Sequence, residues 1–253
     1  MQFRPVIRRC ASLLLLLSLY AYTQQPASTE FNLSSSTTLQ YGIEWRMIRA
    51  GLARVKWLPR TEGFQGDLHL ESAGLVSKMY KVDDDYTVQM GPELCATSLL
   101  IKAQEGKRNR ETKVTFGSAG ASYLERDLVK NSVVLQKDTA TPSCVHEYIG
   151  GLNKLRSKKL EPGQSAEIPM SDGKKFANVK VEAQEREQVK TPAGTFSTVR
   201  HEIFMFNGAL VNRKARLFVW VTDDARRLPV QLRVRMQFLI GTINLQLEKE
   251  ERN

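Results

Sequence analysis

The chain has 253 residues, 42% hydrophobic and 25% charged, ordinary globular values that exclude a disordered or low-complexity protein. Its formal net charge of +10 favours anionic partners such as phospholipid headgroups or acidic glycans, although a solvated surface accounts for the same surplus. Three cysteines and three scattered histidines (His69, His146, His201) show no metal-ligand spacing, so neither a metal nor a cofactor is expected.

The N-terminus reads as an export signal. Arg4, Arg8 and Arg9 precede an almost unbroken Leu run from Ala11 to Tyr22, and small polar residues follow to Ser28. That run is about twelve residues, short of the roughly twenty needed to cross a bilayer, so a cleaved signal over 1–27 is favoured over an uncleaved anchor. No later apolar stretch reaches spanning length, so the mature chain is expected to lack a transmembrane span. Cleavage would remove three arginines and no acid, lowering the charge from +10 to +7. Export would place the protein in the periplasm or outside the cell. It also favours pairing of the two remaining cysteines, Cys95 and Cys144, over two buried free thiols.

Residues 28–38 read as a flexible Ser/Thr-rich leader, and residues 39–253 as one β-rich domain. Leu39, Tyr41, Ile43 and Trp45 alternate with polar residues, as in a half-buried strand. Arg49-Ala50-Gly51 reads as an interruption before a second strand with Ala53, Val55 and Trp57 on one face. Leu68, Leu70 and Val76 continue the β pattern less clearly, and Asp83-Asp84-Asp85 precedes the alternating Tyr86, Val88 and Met90. Glu105 to Asn109 reads as an exposed hairpin loop between strands, and Ser122–Leu128 and Ser132–Gln136 as further short strands.

One segment changes period. Val145, Tyr148, Ile149, Leu152 and Leu155 form a helical stripe, predicting a helix over about 143–157 with Thr141-Pro142-Ser143 at its start. Gly150-Gly151 works against it. Thr191-Pro192-Ala193-Gly194 reads as a type I hairpin turn and Asn207-Gly208 as the strongest turn signal. Leu217 to Val221 is apolar on both faces. The final hairpin alternates Val230, Leu232, Val234, Met236 and Phe238 with Arg233 and Arg235, then Ile243, Leu245 and Leu247 with polar residues. The expected fold is mainly β: a twisted antiparallel sheet curled into a barrel- or clam-like single domain with one short helix.

Several of these segments carry a resemblance. Thr191-Pro192-Ala193-Gly194-Thr195-Phe196, then Phe218 to Asp224 with Arg227-Leu228-Pro229-Val230, and the opening Leu39 to Trp45 with Ala50-Gly51, resemble the family called domain of unknown function 3108. The resemblance spans about residues 39–247 in order and spacing. It implies an exported, mostly bacterial envelope protein with a β-rich fold, and no catalytic residue.

The chemistry in the sequence agrees with that silence. There is no Gly-x-Ser-x-Gly elbow, His201 and His146 read as structural residues, and Asp83–Asp85 and Asp223–Asp224 read as turn residues rather than a hydrolytic carboxylate pair. Trp45, Trp57, Phe218 and Trp220 sit in apolar patterns instead of interleaving with the basic clusters, and export disfavours nucleic acid. Arg233 and Arg235 alternate with the core face and are the candidate anionic-ligand face. The leading expectation is a non-enzymatic envelope protein binding an anionic lipid, a glycan or an envelope protein on a curved sheet. The alternatives are a hydrolase of envelope polymers and an assembly factor.

Overall fold

The computed structural model describes residues 33, 35–237 and 241–252; the expected signal peptide and Phe238 lie outside the described residues. The first half comprises β1 (Thr37–Trp45), β2 (Ile48–Arg60), β3 (Gly63–Ser72), α1 (Gly74–Met79), β4 (Val82–Met90), β5 (Ala96–Glu105), β6 (Arg108–Phe116), β7 (Gly120–Asp127) and β8 (Ser132–Ala140). Helix α2 (Tyr148–Ser157) follows, and the second half comprises β9 (Ser165–Ser171), β10 (Phe176–Thr191), β11 (Gly194–Ile203), β12 (Ala215–Thr222), β13 (Pro229–Met236) and β14 (Thr242–Arg252).

The fourteen strands form one antiparallel sheet in the order β8-β7-β6-β5-β4-β3-β2-β1-β14-β13-β12-β11-β10-β9. Within each half, β1–β8 and β9–β14, sequence neighbours pair throughout, as short turns dictate. The exception is β1 with β14, which joins the two halves at mid-sheet. The sheet is curled but open: β8 and β9 are its free edges. The loop 172–175 closes toward the first half, where Lys137 Nζ donates to the Lys174 carbonyl at 2.8 Å and Lys174 Nζ lies 5.1 Å from the Tyr123 ring centre.

The apolar face encloses α2. Ile149 packs in the cluster with Leu39, Tyr41, Trp57, Val88 and Met90, and Leu155 in a second cluster with Ile168, Val179 and Val181. Gly150 and Gly151 do not end the helix; they let it approach its neighbours. A Cβ at Gly151 would lie 2.6 Å from Met170 Cε, and one at Gly150 would lie 3.1 Å from Met90 Sδ. Close packing offsets the roughly 1 kcal/mol that each glycine costs a helix.

Several local expectations are corrected. The β1–β2 turn falls at Arg46-Met47, both left-handed (φ 50° and 65°), not at Arg49–Gly51. Ala50 is instead the extra residue of a bulge, since Ile43 pairs with Gly51 and Glu44 with Arg49. Val76 belongs to α1, so there are two helices instead of one. Asp83–Asp85 lie inside β4 and not at a turn. Helix α2 starts at Tyr148, because the preceding residues are held extended: Ala96 N–H donates to Val145 O, and His146 N–H to Pro169 O. Glu147, not the Thr-Pro-Ser segment, caps it by accepting from Ile149 and Gly150 N–H. Asn207 and Gly208 are both left-handed, as expected, but within a longer loop between β11 and β12.

Cys95 and Cys144 form a disulfide with a Cα–Cα separation of 4.9 Å and a sequence separation of 49. Alkylation of the unreduced protein is therefore expected to modify neither thiol by mass, and Cys95→Ser with Cys144→Ser to cost about 4 kcal/mol of stability in denaturant titrations.

Burial pushes the Glu147 carboxyl up to about 7, against the pull of the helix N–H groups. A folded-state pKa above the unfolded value means stability present below pH 4.5 and lost as pH rises through 7. Relative to Glu147→Gln, the wild type should lose on the order of 3 kcal/mol across that window, read from paired thermal melts.

Candidate functional site

The alternation along β12 separates two chemistries. Leu217 packs with the cluster around Leu155 of α2, so Arg216, Phe218 and Trp220 stand on the opposite face. Cross-strand register brings Arg235 opposite Arg216, Arg233 opposite Phe218, and Arg200 of β11 opposite Trp220. The four guanidiniums lean over the two rings. Arg233 Cζ lies 5.0 Å from the Trp220 ring centre; Arg216, Arg235 and Arg200 lie 4.9, 5.2 and 5.8 Å from that of Phe218. The rings themselves are 6.3 Å apart and tilted by 46°. Both are buried, Phe218 to 4% and Trp220 to 3% exposure, although they lie on the arginine side of the sheet. The apolar pattern placed both rings in the core, and they do belong to the buried cluster that holds Tyr41, Trp57 and Ile149; the arginines stacked on them were not legible, although Arg216 stands two and four residues before the rings.

Charge pairing divides the four arginines. Arg216 Nε and Nη2 donate to the two oxygens of Glu202, both at 2.7 Å, which holds that carboxyl below its ordinary range. Gln184 adds a third donor to Glu202. Arg200 reaches Glu185 at 2.7 Å and Glu187 at 3.5 Å, and Trp220 Nε1 donates to Glu187 at 2.7 Å. Arg233 donates from Nε to Asn244 Oδ1 at 2.7 Å, and burial lowers its guanidinium pKa, with Arg235 adding repulsion. Among the described residues neither Arg233 nor Arg235 forms an ion pair with a carboxylate. Their remaining N–H groups form a planar donor set suited to carboxylate or phosphate.

A pocket of about 450 Å³ adjoins this face. Glu202 and Arg216 form its polar wall, and Ile203, Phe204, Phe206 and Ala215 its apolar one.

The other candidates serve the fold. The disulfide Cys95–Cys144 sits at the entry to α2. His146 Nδ1 lies 2.7 Å from Leu94 O, and burial depresses its pKa, as it does that of His201. Asp84 accepts from Gln104 N–H, and burial pushes it up to about 6. Asp223 pairs with Arg186 at 2.7 Å, and Asp224 accepts from the N–H groups of Arg226 and Arg227. Asp83 pairs with Lys81 at 3.5 Å and Asp85 with His69 at 2.9 Å, so each acid considered for hydrolysis is engaged by the backbone or by a basic side chain. Among the described residues no three His, Cys, Asp or Glu side chains cluster to hold a metal ion.

The profile of the Protein of unknown function (DUF3108) family matches residues 40–248. The chain belongs to the DUF3108 family. This DUF3108 chain resembles the crystal structure of a β-barrel-like protein of the domain of unknown function DUF1849 from Brucella abortus. The TM-score is 0.59 at 8% identity, covering 87% of this chain and 98% of that one, a likeness of fold alone. It also aligns with an exported protein of YmcC-like fold from Bacteroides fragilis, at a TM-score of 0.31 and 12% identity, covering 86% and 95%. No curated protein matches the chain.

Proposed function

We propose that this DUF3108 protein is an exported, non-enzymatic envelope protein that binds an anionic amphiphile on the β12–β13 face. The observation that carries this reading is the pair Arg233 and Arg235: two guanidiniums laid on aromatic rings, without carboxylate partners among the described residues. Such stacking orients a guanidinium without consuming its donors. The phenylalanines of the neighbouring pocket offer an apolar surface for the rest of a lipid-like ligand, with Arg216 and Glu202 between them and the open arginines. A signal-like N-terminus and a disulfide agree with periplasmic or secreted placement.

Mass spectrometry of lipid extracts from the protein purified out of the periplasm should recover a co-purifying anionic amphiphile. Arg233→Ala with Arg235→Ala should weaken binding of lysophosphatidylglycerol about tenfold or more, since charge-assisted contacts contribute about 1.5–3 kcal/mol each. Arg226→Ala, on the β12–β13 turn, should leave it unchanged. Equal affinity in all three proteins removes the assignment.

A further inference from the structure

One end of the curled sheet is unlike the other. At this end the β1–β2 turn exposes Met47 to 95% and Ile48 to 50%; α1 and the residue after it expose Leu75, Met79 and Tyr80 to 60%, 74% and 48%. The β7–β8 turn exposes Leu128 to 46% and Val129 to 70%. These tips form a continuous rim. Ala73 N–H donates to Ala50 O beside the first turn, Gly106 N–H donates to Lys81 O beneath Tyr80, and Leu128 N–H donates to Asn109 O. The opposite end carries the turns Thr61-Glu62, Pro92-Glu93, Pro192-Ala193 and Asp223–Arg227, and none of their residues is an exposed large hydrophobic.

The apolar tips alternate with cations. Arg46 adjoins Met47, Lys78 adjoins Met79, Lys130 adjoins Val129, and the tip between β5 and β6 is Gly106-Lys107-Arg108, all exposed. A protein interface concentrates apolar residues in a centre with charge depleted, and a polar rim around it. Here Met47, Ile48, Met79, Tyr80 and Val129 each have a cation next to them in the chain, and only Leu75 and Leu128 do not. That is what headgroup insertion requires: the apolar tip enters the acyl boundary while the ammonium or guanidinium stays among phosphates. Among the described residues no helix is long and apolar enough to cross a membrane.

We propose that this rim docks the protein on the surface of a bilayer containing anionic phospholipid. The rim borders the arginine face where Arg46 N–H donates to Thr242 O, opposite Arg235, but its apolar tips lie on other turns and the proposal does not depend on that reading.

Flotation of the signal-less chain with vesicles of phosphatidylethanolamine and phosphatidylglycerol tests it. The protein should float with these vesicles, much less with pure phosphatidylcholine, and less in about 0.5 M salt, where screening shortens the reach of the cations. Met47→Asp with Met79→Asp should cut the bound fraction tenfold or more with an unchanged melting temperature. Lys78→Glu with Lys130→Glu should cut it on the anionic vesicles. Both positions are exposed, so folding is not at stake. Arg233→Ala with Arg235→Ala should float like the wild type, which separates the rim from the ligand face. The proposal is overturned by failure to float, by equal binding to neutral vesicles, or by flotation undiminished in the Asp variant. It is equally overturned if light scattering shows the rim variants dissolving a dimer that does not bind vesicles, which would make the rim an interface between copies.

Discussion

The whole architecture depends on a helix filling a sheet that does not close. A fourteen-stranded antiparallel sheet with two free edges must curl over something to bury its apolar face. Helix α2 is that filling. Ile149 packs against strands of the first half and Leu155 against strands of the second, so one short helix binds both halves from inside. Arg156 completes the tie. Its Nε donates to Arg227 O at 2.8 Å and its Nη2 to Arg226 O at 3.1 Å, while the guanidinium lies 4.9 Å from the Trp57 ring centre. Burial lowers its pKa to about 10, a measure of the desolvation that these donors and the ring offset.

That inside contact fixes what the outside can be. Arg156 holds the turn between β12 and β13, and Leu217, Leu232 and Val234 face inward around it. Period-two alternation then sends Arg216, Phe218, Trp220, Arg233 and Arg235 to the other face without further choice. Two aromatic rings on a solvent-side face would expose a large apolar area. The arginine stems and heads cover it, and Phe218 and Trp220 are part of the same buried cluster as Tyr41 and Trp57. The arginines therefore have a packing role, and the proposed recognition role falls to those without carboxylate partners. Those with carboxylates, Arg200 and Arg216, are pinned; Arg233 and Arg235 are pinned by the rings and keep donors free for an incoming anion.

Strand content was legible because alternation is a strong signal wherever one face is buried: Leu39 to Trp45 and Val230 to Met236 read correctly residue by residue. The turn at Arg46-Met47 was not, because neither residue is a usual bearer of positive φ, and Ala50-Gly51 next door looked more like a turn. Gly51 is required for another reason: a Cβ there would lie 2.3 Å from Glu71 O on β3. Asp83–Asp85 resembled a polar turn because three acids in a row rarely sit in a strand. In the fold, Asp83 and Asp85 point to one face and Asp84 to the other, where the Gln104 N–H receives it. The ligand face was half legible. Arg233 and Arg235 stood out by alternation, but the rings beneath them belong to another strand, and only the register of β12 with β13 unites them.

Away from the β1–β14 ladder, the halves meet through the Lys137–Lys174 contact and a crossing segment, not through a strand ladder. Val145 and His146 sit between the halves: Ala96 of β5 donates to Val145 O, His146 N–H donates to Pro169 O of β9, and Ser171 N–H donates back to His146 O. The Cys95–Cys144 disulfide clamps this segment to the first half one residue before it crosses, and Glu147 starts α2 one residue after. Within four residues the chain passes from covalent anchor to backbone bridge to helix cap. An open sheet of this size would otherwise offer β8 and β9 as templates for pairing with other chains. A disulfide at that point makes physical sense: together with the β1–β14 ladder, the Lys137–Lys174 contact and the Arg156 tie, it keeps α2 enclosed and the apolar lining hidden.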